Sequence, residues 1–291
     1  MFNKKSLLGA LVMTALLAIT PAMSTASAAE SSVEVERHDW SFAGVFGTYD
    51  QNQLQRGFQV FREICSSCHS ARLLAFRNLS EYGGPGFSEE QVKALAAEYE
   101  VDDPDAEGGR RPAVPADHWP SPFPSDQDAR DANGGIVPPD FSVLAKARTI
   151  ETPFPWWILN YFQPYAEGGP DYIHALLNGY HEEVPEGVLN NEGKPFELPE
   201  GKYYNDVYPG HAIGMAPPLA DGVVAYESGD GESVLETLEQ YSTDVSAFMM
   251  WVAEPHLAAR KQAGLQVILF LIVLAGMLYL VKRKLWANIE H

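Results

Sequence analysis

The apolar positions of this chain change their rhythm several times. "QNQLQRGFQVFREIC", residues 51–65, places Leu54, Phe58, Phe61 and Ile64 at helical spacing, which predicts an amphipathic helix. "SEEQVKALAAEYE" predicts a second helix, with Ser88 as N-cap and acids in the first turn. "PDYIHALLNGY" predicts a short helix that Gly179 ends. "SVLETLEQYSTDVSAFMMWVAEP" repeats apolar residues at Leu235, Leu238, Val245, Phe248 and Val252, an amphipathic helix that stops near Pro255. No run alternates with period two, and no segment repeats. Glycine (24) and proline (21) concentrate between residues 83 and 222, in stretches such as "GGPG", "NGGIVPPD" and "MAPPLADG" that read as turns and loops. The expected fold is one all-α, loop-rich domain whose regular structure is sparse enough that something else helps to fill its core.

Two further apolar runs obey no amphipathic rhythm. The first, residues 7–20, follows Lys4 and Lys5 and leads into "PAMSTASAAE". Ala26-Ser27-Ala28 has the small-x-small form of a cleavage site, so residues 1–28 read as a signal peptide. The alternative, an uncleaved anchor, needs a longer apolar run. The second, "GLQVILFLIVLAGMLYLV", is uncharged and about the length of one membrane span. The expected organisation is an exported domain over residues 29–263, a transmembrane helix over 264–281 and an inside tail over 282–291. The basic flank at Lys282, Arg283 and Lys284 sets that orientation. Arg260 and Lys261 on the near flank weaken the charge bias, but the signal peptide gives the same sidedness.

Charge narrows the partners. The chain carries a formal net charge of −19, and Lys4, Lys5 and the "KRK" flank all lie outside the exported part, which is therefore more acidic still. The acids cluster in "EYEVDDPDAE", in Asp126, Asp128 and Asp131, and in Glu182, Glu183 and Glu186. Such a surface excludes nucleic acid and favours a basic protein partner, or merely keeps the domain soluble.

The only two cysteines, Cys65 and Cys68, are followed directly by His69: C-S-S-C-H. In an exported chain this spacing reads as covalent haem attachment. Each thiol can add to one vinyl group, and residues three apart on a helical turn lie near one face. The imidazole of the next residue can then reach the iron. A disulfide between these cysteines would close a tiny loop and stabilise little. A thioredoxin-like pair would sit in a βαβ setting that is missing here, and a zinc site would need more nearby ligands.

The second iron ligand has more candidates: His38, His118, His174, His181, His211, His256, Met215, Met249 and Met250. Met249 and Met250 lie in the predicted helix before the membrane, where Met is a core filler. Met215 lies in "GHAIGMAPPLADG", between Gly214 and a loop stiffened by Pro217 and Pro218. A weak thioether ligand needs such a rigid support. His211, four residues earlier, remains the alternative, giving bis-histidine ligation.

These pieces occur in a recognisable order. "QRGFQVFREICSSCH", "NGGIVPPDFSVLAKAR", "GPDYIHALLNGY", "YPGHAIGMAPPLADG", "DVSAFMMWVAEP" and the basic-flanked span together resemble the cytochrome c1 family in its alphaproteobacterial form, the haem subunit of quinol–cytochrome c oxidoreductase. The resemblance implies that Met215 is the sixth ligand. It implies that Arg148 and Asn133 bind haem propionates, that Tyr172 lies near them, and that Pro139 packs against the ring. It implies partners too: cytochrome b, a Rieske iron–sulfur protein and a c-type cytochrome acceptor, within a dimeric complex of the inner membrane with its haem domain in the periplasm. The chain would catalyse nothing alone; it would pass one electron through haem c. Residues 149–169 are an insertion relative to shorter mitochondrial forms, and with two cysteines no extra disulfide is left to hold the ligand loop. The rival functions are a haem-based gas sensor, in which Met215 leaves the iron, and an anchored carrier that works without a complex.

Overall fold

The structure is a computed structural model that describes residues 35–150, 168–190, 192–226 and 234–288. The expected signal peptide lies outside the described residues, as does nearly all of the 149–169 insertion.

Two helices organise the core. α1 (Gln51–Glu63) begins at Asp50, whose carboxylate accepts the N–H of Gln53 at 2.7 Å. It buries Leu54, Gly57, Phe58, Val60 and Phe61. Its partner runs late in the chain, over Leu238–Ala253, and Phe248 there meets both Phe58 and Phe61, with ring centroids 5.7 and 5.4 Å away. Gly57 makes the approach close: a Cβ there would fall 2.1 Å from the carbonyl oxygen of Asp244. A buried ion pair fastens the same contact. Arg56 grips Asp244 through Nε at 2.8 Å and Nη2 at 3.0 Å, and Tyr226 donates its hydroxyl to the same carboxylate at 2.9 Å.

The remaining elements wrap this pair. α2 (Glu89–Ala96) starts with a capping box between Ser88 and Gln91. β1 (Glu100–Asp102) and β2 (Arg110–Pro112) form an antiparallel hairpin, pairing Val101 with Arg111. α3 (Asp126–Ala132), α4 (Leu144–Ala147) and α5 (Gly168–Asn178) follow. A small antiparallel sheet has the order β3 (Tyr180–His181), β4 (Tyr203–Asn205), β5 (Ala212–Ile213). α6 is the Leu238–Ala253 helix, capped by Thr237. α7 (Leu257–Leu285) ends the described chain.

Four helices stand where the pattern predicts them. α6 differs in kind: every residue from Tyr241 to Val252 is buried, so it is the central helix and not a one-sided one. The two small sheets have no alternating signature because their strands are too short to show one. α7 starts earlier than the uncharged run and is long and apolar enough to cross a membrane, with an exposed apolar surface. At about 1.5 Å per residue it exceeds a bilayer core of about 30 Å, so its first turns belong to the domain. Lys261 there donates to the carbonyl of Phe42 at 2.6 Å, and Glu254 pairs with Lys146 (2.8 Å) and with Arg260.

Candidate haem site

The C-S-S-C-H motif follows α1 directly. Cys65–Ser67 form a 3-10 turn in which the Cys65 carbonyl accepts the N–H groups of Cys68 (3.2 Å) and His69 (2.9 Å). The hydroxyls of Ser66 and Ser67 donate back to the carbonyls of Arg62 and Ile64, at 2.8 and 2.7 Å, satisfying the end of the helix. The turn is tighter than the α-turn expected, and residues three apart in a 3-10 turn eclipse, which favours a pair of thiols acting together. Cys65 packs against the core and Cys68 is exposed. Burial, with a smaller contribution from Cys68, pushes the Cys65 thiol up to about 12. Such a thiol is a poor thiolate for redox exchange or zinc, and its burial against apolar side chains suits a thioether.

His69 is 8% exposed, and its ring stacks on Phe141 with centroids 4.4 Å apart. Its Nδ1 lies 2.8 Å from the carbonyl oxygen of Pro139. A carbonyl only accepts, so Nδ1 carries the proton and Nε2 keeps its lone pair. Nε2 has no hydrogen bond to any described residue. Burial lowers the His69 pKa against the opposing pull of the Pro139 carbonyl and the Asp140 charge, so the imidazole is held neutral.

Asp140 braces this corner. Its carboxylate accepts from the Ser70 hydroxyl (2.7 Å), the Arg72 N–H (3.0 Å) and the Ser142 N–H (2.8 Å). Phe141 N–H donates to the Ser70 carbonyl at 2.7 Å. Burial alone would raise the Asp140 pKa, but hydrogen bonds from Ser142, Arg72 and Ser70 outweigh it and hold the carboxyl at about 2. Sequence reasoning missed Asp140 and Phe141. The signal was present in "PDFS", an Asp two residues before a Ser at the start of a helical turn.

Met215 stands one residue beyond β5, after Gly214, and packs, half-buried, against the core. Its carbonyl accepts the Tyr180 hydroxyl at 3.1 Å. Gly214 lies under Ile136, where a Cβ would meet the Ile136 Cδ1 at 2.0 Å, so the "NGGI" loop and the Met loop touch. His211 has a positive φ of 58°; its Nδ1 lies 3.1 Å from the Asn205 carbonyl, and its ring stacks on Tyr204 at 5.5 Å. Met249 and Met250 are 3% and 1% exposed inside α6, as core fillers. His118 reaches the Arg72 carbonyl through Nδ1, and His181 pairs with Asp206.

Asn133 caps α3 and donates its side-chain amide to the Ala129 carbonyl at 2.7 Å, so its amide is already engaged. Arg148 caps α4, is exposed, and forms no ion pair with a described residue. Tyr172, on the first turns of α5, is close enough to Arg148 and Tyr180 to feel both; burial raises its pKa and Arg148 opposes that. α5 is seated on α4 through Gly169, where a Cβ would fall 1.6 Å from the Ala145 carbonyl oxygen. Residues 139–148 thus join the His69 corner to the Arg148, Tyr172 and Tyr180 cluster, and Tyr180 joins that cluster to Met215. The arrangement fits a haem: an oriented neutral imidazole, two thiols on one turn, a thioether on a supported loop, and a guanidinium that pairs with no carboxylate among the described residues.

Comparison with known proteins agrees. The family model described as the cytochrome C1 family matches residues 40–289. The chain is 46% identical to the cytochrome c1 of Rhodospirillum rubrum, across 91% of this chain and 92% of that one. It is 46% identical to the cytochrome c1 of Blastochloris viridis, with 86% of each covered. It is 49% identical to the cytochrome b/c1 of Bradyrhizobium diazoefficiens over 90% of this chain, but spans only 37% of that relative. The chain belongs to the cytochrome c1 family, whose members carry a covalently bound haem c.

Proposed function

We propose that this chain is the electron-transferring haem subunit of a quinol–cytochrome c oxidoreductase, with Cys65 and Cys68 as the attachment points and His69 and Met215 as the axial ligands. The observation that carries this reading is the 2.8 Å contact from His69 Nδ1 to the Pro139 carbonyl, which leaves Nε2 as the ligating atom. Haem c, when bound, supplies a reversible one-electron couple. The chain's own residues do the rest: Phe141 and Pro139 orient the imidazole, the β5 loop presents the thioether, and Arg148 supplies a fork that matches a propionate carboxylate. Tyr172 and Asn133 lie in the segments that would border the propionates.

A relative from Candida albicans, 39% identical, is named as a subunit of the cytochrome b-c1 complex. Taken with the anchor helix, that supports a complex with cytochrome b in the inner membrane. On this reading the haem domain faces the periplasm, takes an electron from a Rieske iron–sulfur protein and gives it to a c-type cytochrome, within a dimer. Exposed acids on α3 and beside β3 supply an attractive field for a basic acceptor.

The first test is an optical difference spectrum of the full chain purified gently from its own membrane. An ascorbate-reducible haem c band accompanied by a dithionite-only haem b band is expected. A haem c band alone, from well-preserved membranes, would instead make this a solitary carrier. Carbon monoxide binding to the intact protein would count against a fixed Met215 ligand and for a sensor.

A further inference from the structure

α5 has a second face. Tyr172 turns toward Arg148 and Tyr180, whereas His174, about 200° further round the helix, turns toward α6. There it meets Glu239 of α6, with Nε2 3.0 Å from Oε1, and His38 from the segment that precedes α1, with ring centroids 5.2 Å apart. One ligand atom from each of His38, His174 and Glu239 lies within 4.8 Å of the others.

We propose that His38, His174 and Glu239 form a binding site for a divalent transition-metal ion of the zinc class, separate from the haem site. Two imidazoles and a carboxylate are the borderline donor set that zinc takes. Ligand atoms around a tetrahedral zinc stand about 3.4 Å apart, given bonds of about 2.0–2.1 Å. The His174–Glu239 pair is already close to that spacing, and the partly exposed His38 ring needs to move in by about 1 Å to complete it. The backbone that carries His38 is anchored. Asp171, 3% exposed, accepts the His38 N–H at 3.0 Å and the Trp40 indole N–H at 2.7 Å. Asn178 Nδ2 lies 3.5 Å from His174 Nε2 but donates at shorter range to the His174 carbonyl and the Ser242 hydroxyl, so it does not block Nε2, which donates its proton to Glu239 without metal and would lose that proton to bind an ion. A fourth position faces solvent, because Glu239 is exposed and His38 is partly exposed. The ion would staple three segments distant in sequence: the lead-in to α1, α5 and α6.

The test uses the full haem-loaded chain in detergent, stripped with a chelator and then titrated with Zn²⁺ by equilibrium dialysis. His38→Gln, His174→Gln and Glu239→Gln are each expected to weaken one zinc equivalent at least about tenfold, the loss that even an outer-shell change causes. His181→Gln, outside the cluster, is expected to leave all binding unchanged. X-ray absorption of that equivalent should show two imidazole nitrogens in the parent and one in either His variant. Glu239 is exposed and His38 partly so, and their variants are expected to keep the haem spectrum even where His174→Gln does not. Identical zinc binding in the parent, His38→Gln and Glu239→Gln would overturn the proposal.

Discussion

His69 and Pro139 stand 70 positions apart in sequence, yet Nδ1 of one lies 2.8 Å from the carbonyl oxygen of the other. That contact fixes both the tautomer and the plane of the imidazole. It also ties the turn after α1 to the segment that enters α4. The neighbouring Asp140, whose carboxylate accepts from the Ser70 hydroxyl and the Ser142 N–H, holds the Pro139 carbonyl in place.

Asp140 therefore makes the site sensitive to acid. Its carboxyl titrates at about 2 in the folded chain against an ordinary 3.8. A depressed folded pKa gives stability that is fully present above the ordinary value and is lost as pH falls from about 4 toward about 2. The effect is on the order of 2 kcal/mol. In Asp140→Asn the denaturant midpoint should drop at neutral pH, by the equivalent of about 1–3 kcal/mol, and the pH dependence between about 4 and 2 should flatten. Chemical denaturation followed across that pH range, with haem absorbance as the probe, would show both. An undiminished slope would mean that another carboxylate carries the acid sensitivity.

Met215→Leu should keep the thioethers, because Cys65 and Cys68 lie on a different segment, and should lose the sixth ligand. The midpoint potential is expected to fall by on the order of 0.1 V or more, since axial ligands set potentials over about 0.8 V across haem proteins. Carbon monoxide should bind the reduced variant and not the parent. Redox titration of both proteins decides it, and an unchanged potential would transfer the ligand role away from Met215. His211→Leu is expected to leave the potential within the parent's range, since His211 already contacts the Asn205 carbonyl and stacks on Tyr204.

The contact between α1 and α6 sets the position of the whole C-S-S-C-H turn, and two substitutions probe it. Asp244 is fully buried, and removing it in Asp244→Ala would strand the Arg56 guanidinium. Arg56 keeps some contact with water, so the expected cost is about 2–3 kcal/mol, that of lost hydrogen bonds to a charged group. Gly57→Ala would push a Cβ against the Asp244 carbonyl, which is backbone and cannot rotate away. Its cost should reach about 1–3 kcal/mol, as for other overpacked contacts. Thermal unfolding of the haem-loaded proteins would rank them; a Gly57→Ala protein as stable as the parent would mean that α1 and α6 can slide apart freely.

Much of this was readable before any coordinates. C-S-S-C-H announces its own chemistry, because spacing and residue type are the whole signal. α1 and α6 are legible from their periodicity, α2 from its Ser88 cap and first-turn acids, and α5 from Gly179 at its end. What stayed hidden depends on contacts between distant segments. "PDFS" marks the local turn from Asp140 to Ser142, but the bonds to Ser70 and Arg72 that make Asp140 part of the site join distant segments and leave no local pattern. α6 reads as amphipathic because Glu239, Gln240 and Ser242 interrupt its apolar run, but neighbours on all sides bury it. Most of its buried polar groups find partners, Asp244 in Arg56 and Tyr226, Ser242 and Thr243 in the Glu239 carbonyl, whereas the buried Ser246 hydroxyl has none among the described residues. The β3–β5 sheet under Met215 has strands of two and three residues, below the length at which alternation can be seen.

The acidic surface gives a last expectation, and the structure separates its clusters. Around the β1–β2 hairpin the charges are largely answered: Arg110 pairs with Glu100 and Asp102, and Arg111 with Asp103 and Asp117. On α3 they are not; Asp126 and Asp131 are exposed and form no ion pair with a described residue, and the helix ends at Asn133, beside the candidate haem site. The field felt by an incoming basic cytochrome should therefore come more from α3 than from the hairpin. Asp126→Asn with Asp131→Asn should slow reduction of a basic c-type cytochrome up to about tenfold at low ionic strength, and the difference should vanish at high salt. Glu100→Gln with Asp102→Asn should change the rate less, since those charges are already compensated. Stopped-flow rates across a salt series would test this, and a rate in the parent that is flat with ionic strength would remove electrostatic steering altogether.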